Sequence, residues 1–381
     1  MVSYLRDEHI KSLWKWNDFI MKCLSYKVDF KLMKKILHLT IALIFIVGFG
    51  LYFGPEYWQF RDAQKLESSN AEVTSQSIKD FSINSVPDFR WKLELYSTPN
   101  KEFLTQIVSE IDAAQNNIYV EVYIFTEKDM RDAIIRAHNR WVEVKILLEN
   151  NPYQAPYLND KHYNSFVDAG IDVRWSDPLN YSLNHAKLLM IDEFAYISTW
   201  NFSYSLFTKN RDLLVKIGDV WFVQKLRELF LLDYERIAGW VIDSRLVLSP
   251  SQSRFKLVSL IESAATNLDI YFPYLADDAL EELIIKKSKE WVQVRLVVEK
   301  LYFNENPEVI LKLTNAWIMV QAMKWPKLHA KSILSDWKLL YIWSINFSRY
   351  SLDENREIWI LLQNKEIIEK FTHIFSSDFD S

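Results

Sequence analysis

Two short stretches of the chain repeat one pattern of acid–base and anion-binding side chains. Each reads His-x-Lys-x4-Asp and is followed by a hydroxyl-x-Asn triplet and then by a further acidic residue. The first set comprises His185, Lys187, Asp192, Thr199, Asn201 and Asp212, and the second comprises His329, Lys331, Asp336, Ser344, Asn346 and Glu357. The histidine and the final carboxylate are 27 residues apart in the first set and 28 in the second. Two matched sets exceed what composition produces by chance, so they indicate one site built from two copies.

Both stretches are predicted to lie on β-strands. Residues two apart on a strand project from the same face, so the histidine and the lysine of each set point the same way. The apolar runs that follow, Phe194 to Ser198 and Leu339 to Ile342, are typical of the second strand of a hairpin. They return the hydroxyl and the asparagine beside the histidine. A third strand, Leu213 to Ile217 or Ile358 to Leu362, brings the acidic residue alongside.

Two such half-sites contain the groups needed for chemistry at a phosphodiester. Lys187 and Lys331 neutralise the phosphate oxygens, while the asparagines and hydroxyls donate hydrogen bonds to them. One imidazole attacks phosphorus, and the other protonates the leaving alcohol and later deprotonates the incoming one. The spacing alone does not decide which histidine is the nucleophile.

Each imidazole also needs a carboxylate that holds it in one tautomer. We expect Asp212 to lie beside His185. In the second set we expect Glu357 to lie beside His329. Because the two rings share one phosphate pocket, we expect their titrations to be coupled.

These paired motifs resemble those of the phospholipase D superfamily, and the resemblance extends over roughly residues 91–381. It implies a metal-independent phosphodiesterase or phosphatidyltransferase that works through a phosphohistidine intermediate and uses no cofactor. It also implies that Asp192 and Asp336 are mainly structural, and it favours His185 as the nucleophile. The first copy departs from the family pattern because it lacks one residue after Asp192 and has Ser198-Thr199 in place of the usual Gly-Ser, which we interpret as a shortened hairpin turn.

Composition excludes several other kinds of site. The single cysteine, Cys23, excludes an internal disulfide and a cysteine-based metal cluster. The histidines outside the motifs do not have the spacing of metal ligands: His9, His38, His138, His162 and His373. The net charge is −5, and residues 36–381 contain 37 basic against 46 acidic side chains. An acidic catalytic part binds polyanions poorly, so nucleic acid is a disfavoured partner.

The N-terminal part is predicted to anchor the protein in the cell membrane. Residues 1–35 are rich in lysine and are expected to form a cytoplasmic tail, with an amphipathic surface helix as the alternative. Residues 36–53 are apolar except for His38 and Thr40, and as a helix of roughly 27 Å they would span a bilayer once. The lysines that precede them place the N-terminus in the cytoplasm and the catalytic part outside. A cleaved signal peptide is disfavoured because the leading segment is too long.

After a polar, serine-rich linker predicted at residues 54–90, the chain repeats itself. Residues 141–149 align without gaps with residues 291–299, at an offset of 150. Each run has the order strand, helix, strand, with the helices predicted at Lys128 to Asn139 and Asp278 to Lys289. This order is typical of a βαβ unit.

The repeat predicts an α/β fold of two homologous halves, preceded by the single transmembrane helix, with a pseudo-twofold axis through a joint active site. The halves are predicted to span residues 91–240 and 241–381. Phe222 to Ile237 is predicted to be the helix that ends the first half, and Ser249 to Ser253 part of the connection between the halves.

The tryptophans occupy positions that favour glycine. The chain has 15 tryptophans and 6 glycines, which inverts ordinary usage. Trp141 and Trp291 lie between a helix end and a strand, where a left-handed cap favours glycine. Trp317 aligns with Gly170, and Trp337 lies at a hairpin tip. We hypothesise that most of these codons are UGA, read as glycine in the source and translated here as tryptophan.

A protein rich in large interface residues is the alternative interpretation of this composition. The intact mass of protein purified from the source organism distinguishes the two, because a mass that matches all 15 tryptophans excludes recoding. Trp343 stands where the phospholipase D family has glycine, and a genuine tryptophan there is expected to crowd the phosphate pocket.

Three functions are compatible with the sequence. The first is a membrane-anchored phospholipase D-type enzyme that hydrolyses or transfers phospholipid headgroups. Its nearest variant is a cardiolipin synthase-like phosphatidyltransferase, although that group usually has two membrane helices. The second is an extracytoplasmic nuclease with the same chemistry. The third, a non-enzymatic scaffold, is disfavoured because every catalytic position is filled. The natural lipid, the acceptor and the oligomeric state do not follow from the pattern.

Overall fold

The computed structural model describes residues 86–89, 92–237, 239–344 and 347–381. The predicted cytoplasmic tail and membrane helix lie outside these residues, as does nearly all of the predicted linker. Within the described part of the chain, no helix is long and apolar enough to cross a membrane. Both halves of the α/β region belong to one compact unit.

The first half is built on a seven-stranded mixed sheet. The strands of this half are β1 (Leu93–Ser97), β2 (Asn117–Val122), β3 (Glu143–Leu148), β4 (Asp172–Trp175), β5 (Lys187–Ile191), β6 (Phe194–Ser198), the two-residue β7 (Asn210–Arg211) and β8 (Leu213–Ile217). The order in the sheet is β1-β8-β6-β5-β2-β3-β4, and β7 lies outside it. Strands β2, β3 and β4 run parallel, while β5 pairs antiparallel with β2. The motif strand β5 is therefore central and buried on both faces, as its apolar sequence indicates.

The second half contains a sheet of the same size and similar order. Its strands are β9 (Leu246–Ser249), β10 (Asn267–Phe272), β11 (Leu275–Ala276), β12 (Gln293–Glu299), β13 (Met319–Met323), β14 (Lys327–Leu328), β15 (Ser332–Ser335), β16 (Leu339–Ile342), β17 (Phe347–Ser348) and β18 (Glu357–Leu362). The order is β13-β12-β10-β15-β16-β18-β9. The short strands form two separate pairs, β11 with β17 and β7 with β14. The last of these pairs joins the two halves.

Helices cover the sheets and connect their strands. They are α1 (Lys101–Ala113), α2 (Lys128–Asn139), α3 (Asp160–Asp168), α4 (Tyr204–Thr208), α5 (Val220–Tyr234), α6 (Ser253–Ser263), α7 (Asp278–Lys289), α8 (Lys300–Glu305), α9 (Pro307–Asn315), α10 (Arg349–Asp353) and α11 (Lys365–Phe379). Four of them begin at an Asn or Asp whose side chain accepts a hydrogen bond from a backbone N–H in the first turn: Asn100, Asp219, Asp277 and Asn364. These caps satisfy N–H groups that have no partner within the helix.

The prediction of a mixed α/β fold agrees with the structure. The helices predicted at Lys128 to Asn139 and Asp278 to Lys289 are confirmed residue for residue. The helix predicted at Phe222 to Ile237 is displaced and instead spans Val220–Tyr234. Its start is set by Asp219, which accepts a hydrogen bond from the N–H of Phe222 and so places the first turn earlier.

Two other predicted boundaries also move. Ser249 is the last residue of β9 and Ser253 the first of α6, so the predicted connection overlaps both elements. The third strand of the second half begins at Glu357 rather than Ile358. Glu357 is therefore part of a regular strand, which fixes the position from which its carboxylate projects.

The last aspartate of each motif ties a hairpin tip to the start of a neighbouring strand. Asp192 accepts hydrogen bonds from the backbone N–H groups of residues 115–117. Asp336 does the same for residues 265–267. Both aspartates have positive φ, 51° and 53°, a region that Asp tolerates better than most residues. These contacts support the structural role expected of both.

The two halves share a hydrophobic core. One cluster of buried side chains joins elements of the first half with elements of the second, for example Leu188 and Phe230 with Ile360 and Phe371. Two further clusters lie mainly within one half each. Because burial of apolar surface is the main favourable contribution to association, this shared cluster fixes how the halves dock.

Among the residues that the structure describes, four tryptophans adopt the left-handed backbone conformation. The φ angle is 72° at Trp141, 71° at Trp291, 65° at Trp317 and 51° at Trp337. Gly170, which aligns with the third of these, has a φ of 78°. The first three side chains are 95%, 94% and 85% exposed, so little packing offsets the strain of roughly 1–2 kcal/mol that a Cβ causes in this region. The observation supports the hypothesis that these are glycine positions.

Trp343 differs from these four because its side chain is buried. Its ring packs against those of Tyr341 and Trp359, with centroids 4.8 and 6.2 Å away. The three residues belong to the core cluster of the second half. The expectation that Trp343 crowds the phosphate pocket is therefore wrong, because its ring packs into that core.

Replacing Trp141 or Trp291, the two most exposed of the left-handed tryptophans, by glycine is expected to stabilise the protein. Trp141→Gly and Trp291→Gly should each raise the free energy of unfolding by about 1 kcal/mol, since the relieved backbone strain exceeds the extra freedom of glycine in the unfolded chain. Urea titration followed by circular dichroism measures this. Trp221→Gly is the matched control, because Trp221 is 70% exposed but lies within a helix, where glycine destabilises. A loss of stability in all three variants would contradict the glycine hypothesis.

Candidate active site

The histidine of each motif lies just before the place where a motif strand begins. His185 precedes β5 by two residues, and Lys187 is the first residue of that strand. His329 and Lys331 lie between β14 and β15. In both copies the lysine ammonium donates to the backbone carbonyl of its histidine at 2.6 Å. The predicted His–Lys pairs are thus together, but the histidines lie just ahead of the strands rather than within them.

The carboxylates pair with the histidines across the two halves. His185 Nδ1 lies 2.8 Å from Oε1 of Glu357. His329 Nδ1 lies 3.0 Å from Oδ1 of Asp212. The expected pairing of Asp212 with His185 is therefore wrong, and so is that of Glu357 with His329. A carboxylate at Nδ1 favours a proton on that nitrogen, which leaves Nε2 of His185 as the unprotonated atom of its ring. In His329 the ammonium of Lys331 also lies 2.9 Å from Nδ1 and 3.0 Å from Nε2.

Backbone pairing between the halves causes this exchange. The N–H of His329 donates to the carbonyl of Arg211 at 3.0 Å, beside the parallel pair formed by β7 and β14. The N–H of His185 donates to the carbonyl of Arg356 at 2.8 Å. Each arginine immediately precedes the acidic residue of its own set, so the next side chain reaches the histidine of the other half. Sequence separation within one half could not show this contact.

The predicted phosphate-binding hydroxyls hold the carboxylates in this structure. Thr199 donates to Oδ1 of Asp212 at 2.6 Å. Ser344 donates to Oε2 of Glu357. Both hydroxyls are fully buried. They restrict the rotation of the carboxylates, and donation from them to a phosphate stays a prediction.

Of the two predicted asparagines, the structure describes one. Asn201 is nearly buried, and its side-chain oxygen accepts a hydrogen bond from the N–H of Ile124 at 3.1 Å. This bond fixes the orientation of the amide, so its NH₂ group is the end that serves as a donor. Asn346 lies outside the described residues, and its role stays a prediction.

Burial shifts the charges of the site. It lowers the pKa of the Lys187 ammonium to about 7 and that of Lys331 to about 7, against the attraction of the two carboxylates. Burial also raises the pKa of the Asp212 carboxyl to about 7, against the charge of Lys331. Such shifts arise because the buried groups lack the water that would stabilise their charged forms. An anion in the pocket would supply the missing stabilisation for both ammonium groups.

Both imidazoles are shifted towards the neutral form. Burial lowers the pKa of His185 to about 4, and the opposing attraction of Glu357 only partly offsets it. Burial and the adjacent Lys331 hold the pKa of His329 well below its usual range. Lys187 and His185 also lower the pKa of His329, so groups from both sets act on one another electrostatically. This mutual influence is expected of two half-sites that form one site.

Two aromatic residues at the site escaped the sequence analysis. The ring of Tyr123 lies edge-on to His185, with centroids 4.5 Å apart. The ring of Trp200 meets His329 at 89°, with centroids 3.6 Å apart. Trp200 occupies the variable place of the Thr-x-Asn triplet, so its position in the sequence could have indicated that it lies near the site. Tyr123 directly follows β2 and had no comparable signal.

The arrangement has the parts of a two-histidine phosphoryl-transfer site. Two imidazoles each have a carboxylate at Nδ1, a buried lysine accompanies each of them, and the hydroxyls of Thr199 and Ser344 hold the carboxylates. Among the described residues, no group of three or more His, Cys, Asp or Glu side chains could hold a metal ion.

Comparison with known proteins agrees with this geometry. The family model described as "Cardiolipin synthase, PLD-like domain" matches the chain twice, at residues 107–234 and 257–379. The chain belongs to the phospholipase D superfamily. Each match covers one of the two motif sets, which supports the interpretation of the chain as a duplicated unit.

Individual relatives are distant. "Phospholipase D" of Rickettsia prowazekii is 26% identical over 206 residues, which are 52% of this chain and 91% of that protein. "Cardiolipin synthase" of Clostridium perfringens is 23% identical over 372 residues, which are 84% of this chain and 77% of that protein. The crystal structure of phosphatidylserine synthase from Haemophilus influenzae superposes with a TM-score of 0.62 at 12% identity, over 79% of this chain and 89% of that one. This last similarity establishes the fold.

Binding of a phosphate-like anion is expected to take up protons. Lys187 and Lys331 have a pKa of about 7, so at pH 8 both are largely neutral until an oxyanion raises those values. Tungstate binding should then take up about one proton for each lysine. Calorimetric titration in buffers of different ionisation enthalpy measures the number. Lys187→Met and Lys331→Met should each reduce it, and proton release by the wild type would contradict the assignment.

Proposed function

We propose that this protein is a membrane-anchored phospholipase D-type enzyme that hydrolyses or transfers phospholipid headgroups. The observation that carries the proposal is the pair of imidazoles, each held at Nδ1 by a buried carboxylate and each accompanied by a buried lysine. Residues 36–53 would hold it in the cell membrane as a single-pass anchor, with the N-terminus cytoplasmic and the catalytic part outside. Phospholipid would then reach the site from the bilayer surface.

The first chemical step forms a covalent phosphoenzyme. The unprotonated Nε2 of His185 attacks phosphorus and forms a P–N bond, while the Nδ1–H group of the same ring stays hydrogen-bonded to Glu357. The P–O bond to the leaving alcohol breaks, and the alkoxide takes a proton from His329. Lys187 and Lys331 balance the negative charge on the phosphate oxygens. The substrate's own negative charge raises the pKa of His329, which makes it available as an acid.

The second step transfers the phosphatidyl group from the enzyme to water or an alcohol. Water or an alcohol gives a proton to Nε2 of His329, and its oxygen attacks phosphorus. The P–N bond breaks, so His185 returns to its neutral form. With water the product is a phosphatidic acid, and with an alcohol it is a new phosphodiester. Transfer to phosphatidylglycerol, a cardiolipin synthase-like reaction, is favoured by the description of the matching family model.

Loss of His185 and loss of His329 are expected to block different steps of the reaction. With an ordinary phospholipid, His185→Ala and His329→Ala should each lower the turnover number by roughly 10²–10⁴-fold or more. With a phosphatidyl-p-nitrophenol substrate, whose leaving group needs no proton, His329→Ala should still give a burst of nitrophenol and accumulate phosphoenzyme. His185→Ala should give neither. Stopped-flow absorbance measures the burst, and isolation of the labelled enzyme at mildly alkaline pH, where a P–N bond survives, measures the phosphoenzyme; the reverse pattern would exchange the roles.

The substrate class is tested with full-length protein in detergent micelles. Labelled phospholipids and short oligonucleotides are offered separately, and headgroup release is followed by thin-layer chromatography. We expect release from lipid, unchanged by excess EDTA because the mechanism uses no metal. Cleavage of oligonucleotide alone would replace the lipid proposal by a nuclease, and loss of activity in EDTA would require a metal that the mechanism does not contain.

A further inference from the structure

Behind the two catalytic histidines lie two arginine–aspartate pairs, one buried and one partly exposed, that the mechanism above does not use. Each arginine is the residue immediately before a catalytic carboxylate. Each aspartate is the penultimate residue of the last helix of a half, at Asp233 in α5 and Asp378 in α11. The two arginines and the two aspartates are each 145 residues apart, so the pairs are copies of one arrangement.

The first pair is completely enclosed. Arg356 donates from Nε and Nη2 to the two carboxylate oxygens of Asp233, at 2.7 and 2.9 Å. Its side chain has no exposed surface, and the rings of Tyr181 and Trp240 lie 5.1 and 5.5 Å from the guanidinium. A planar guanidinium that makes two parallel hydrogen bonds fixes both the distance and the angle between its neighbours.

The second pair has the same geometry. Arg211 donates from Nε and Nη2 to the carboxylate of Asp378, at 2.6 and 2.9 Å. Its Nη1 also donates to the backbone carbonyl of Thr98 at 2.6 Å. The hydroxyl of Tyr271 donates to the same carboxylate. Both pairs are therefore bidentate, and both link the end of a helix to the segment beside the site.

The aspartates occupy an electrostatically unfavourable place. The C-terminal end of a helix has partial negative charge, so a carboxylate there is destabilised unless a cation compensates it. Both halves nevertheless have an aspartate at this position, and in both it meets an arginine of the other half. The repetition indicates a shared requirement of the two half-sites.

A further titratable group accompanies each pair at matched positions of the two sheets. Glu121 on β2 lies by the first pair, and Tyr271 on β10 lies by the second, at the offset of 150 seen elsewhere in the repeat. Burial and the nearby charge of Asp233 raise the pKa of the Glu121 carboxyl. The two clusters thus match in their arginine and aspartate and in the place of this third group.

The arginines reach the catalytic histidines through their backbones. The N–H of Arg356 donates to Leu183 at 2.9 Å, and its carbonyl accepts from the N–H of His185. The carbonyl of Arg211 accepts from the N–H groups of His329 and Ala330, at 3.0 and 2.7 Å. A displacement of either arginine would therefore move both the histidine and the carboxylate that holds it.

We propose that these two pairs are positioning devices, in which an aspartate on the last helix of each half holds the arginine of the other half. Each pair thereby sets the catalytic carboxylate against the histidine. Asp233 acts on His185 through Arg356, and Asp378 acts on His329 through Arg211. The expected effect on turnover depends on the proposed function, whereas the effect on the histidine tautomers does not.

The test compares the tautomer of each histidine in full-length protein labelled with ¹⁵N-histidine. In the wild type at pH 7, both catalytic rings should carry their proton on Nδ1. In Asp233→Asn, His185 should lose this preference while His329 keeps it. Asp378→Asn should do the reverse. A purely global weakening of the fold would instead disturb both rings together.

Kinetics provide a second readout on the same variants. The turnover number should fall by roughly 10- to 100-fold with little change in KM, because misplaced groups weaken the chemical step more than substrate binding. Arg356→Lys retains the positive charge but not the two parallel hydrogen bonds, so His185 should also lose its tautomer preference in this variant. It serves as the test if Asp233→Asn does not fold.

Asp243→Asn is the matched control. Asp243 also makes two hydrogen bonds to an arginine, Arg245, at 2.9 and 2.7 Å. That arginine lies next to the end of the sheet remote from Glu357, since its neighbour Leu246 pairs with Ile360. The control should leave both tautomers unchanged. The proposal is overturned if both histidines keep their wild-type tautomers in Asp233→Asn and Arg356→Lys, or if the control releases His185 equally.

Discussion

The contact on which the rest of the structure depends is the one between the imidazole of each motif and a carboxylate of the opposite half. His185 is held by Glu357 and His329 by Asp212. Neither half contains a complete histidine–carboxylate pair, so the reactive groups exist only when the halves are docked. The shared hydrophobic cluster, the β7–β14 pair and the two arginine–aspartate pairs all act on this one requirement.

Docking also removes the site from water, and this determines its charge. Two ammonium groups are buried beside two carboxylates, and burial lowers the pKa of both ammonium groups to about 7. Burial also favours the neutral form of both imidazoles. A bound oxyanion would raise the pKa of both ammonium groups, because its negative charge replaces the stabilisation that water no longer gives. Desolvation thereby couples the charge of the two lysines to anion binding.

Local features of the fold were predictable from the sequence, and contacts between the halves were not. Strand β6, at Phe194–Ser198, and helix α2, at Lys128–Asn139, follow directly from the apolar pattern. The partner of Asp212 depends on docking, because its nearest histidine in the chain and its nearest in space belong to different halves. The start of α5 was missed although Asp219 is an ordinary cap. Trp200 and Tyr123 were missed because their contacts are tertiary.

The crossed carboxylates have a consequence for synthesis of the chain. The ribosome makes His185 and Asp212 long before Glu357, so a nascent first half contains an imidazole without its carboxylate and a carboxylate without its imidazole. Glu357 is the first residue of β18. An incomplete product that stops before this strand lacks the group that holds His185 at Nδ1. Alignment of the first imidazole therefore waits until translation has passed β18.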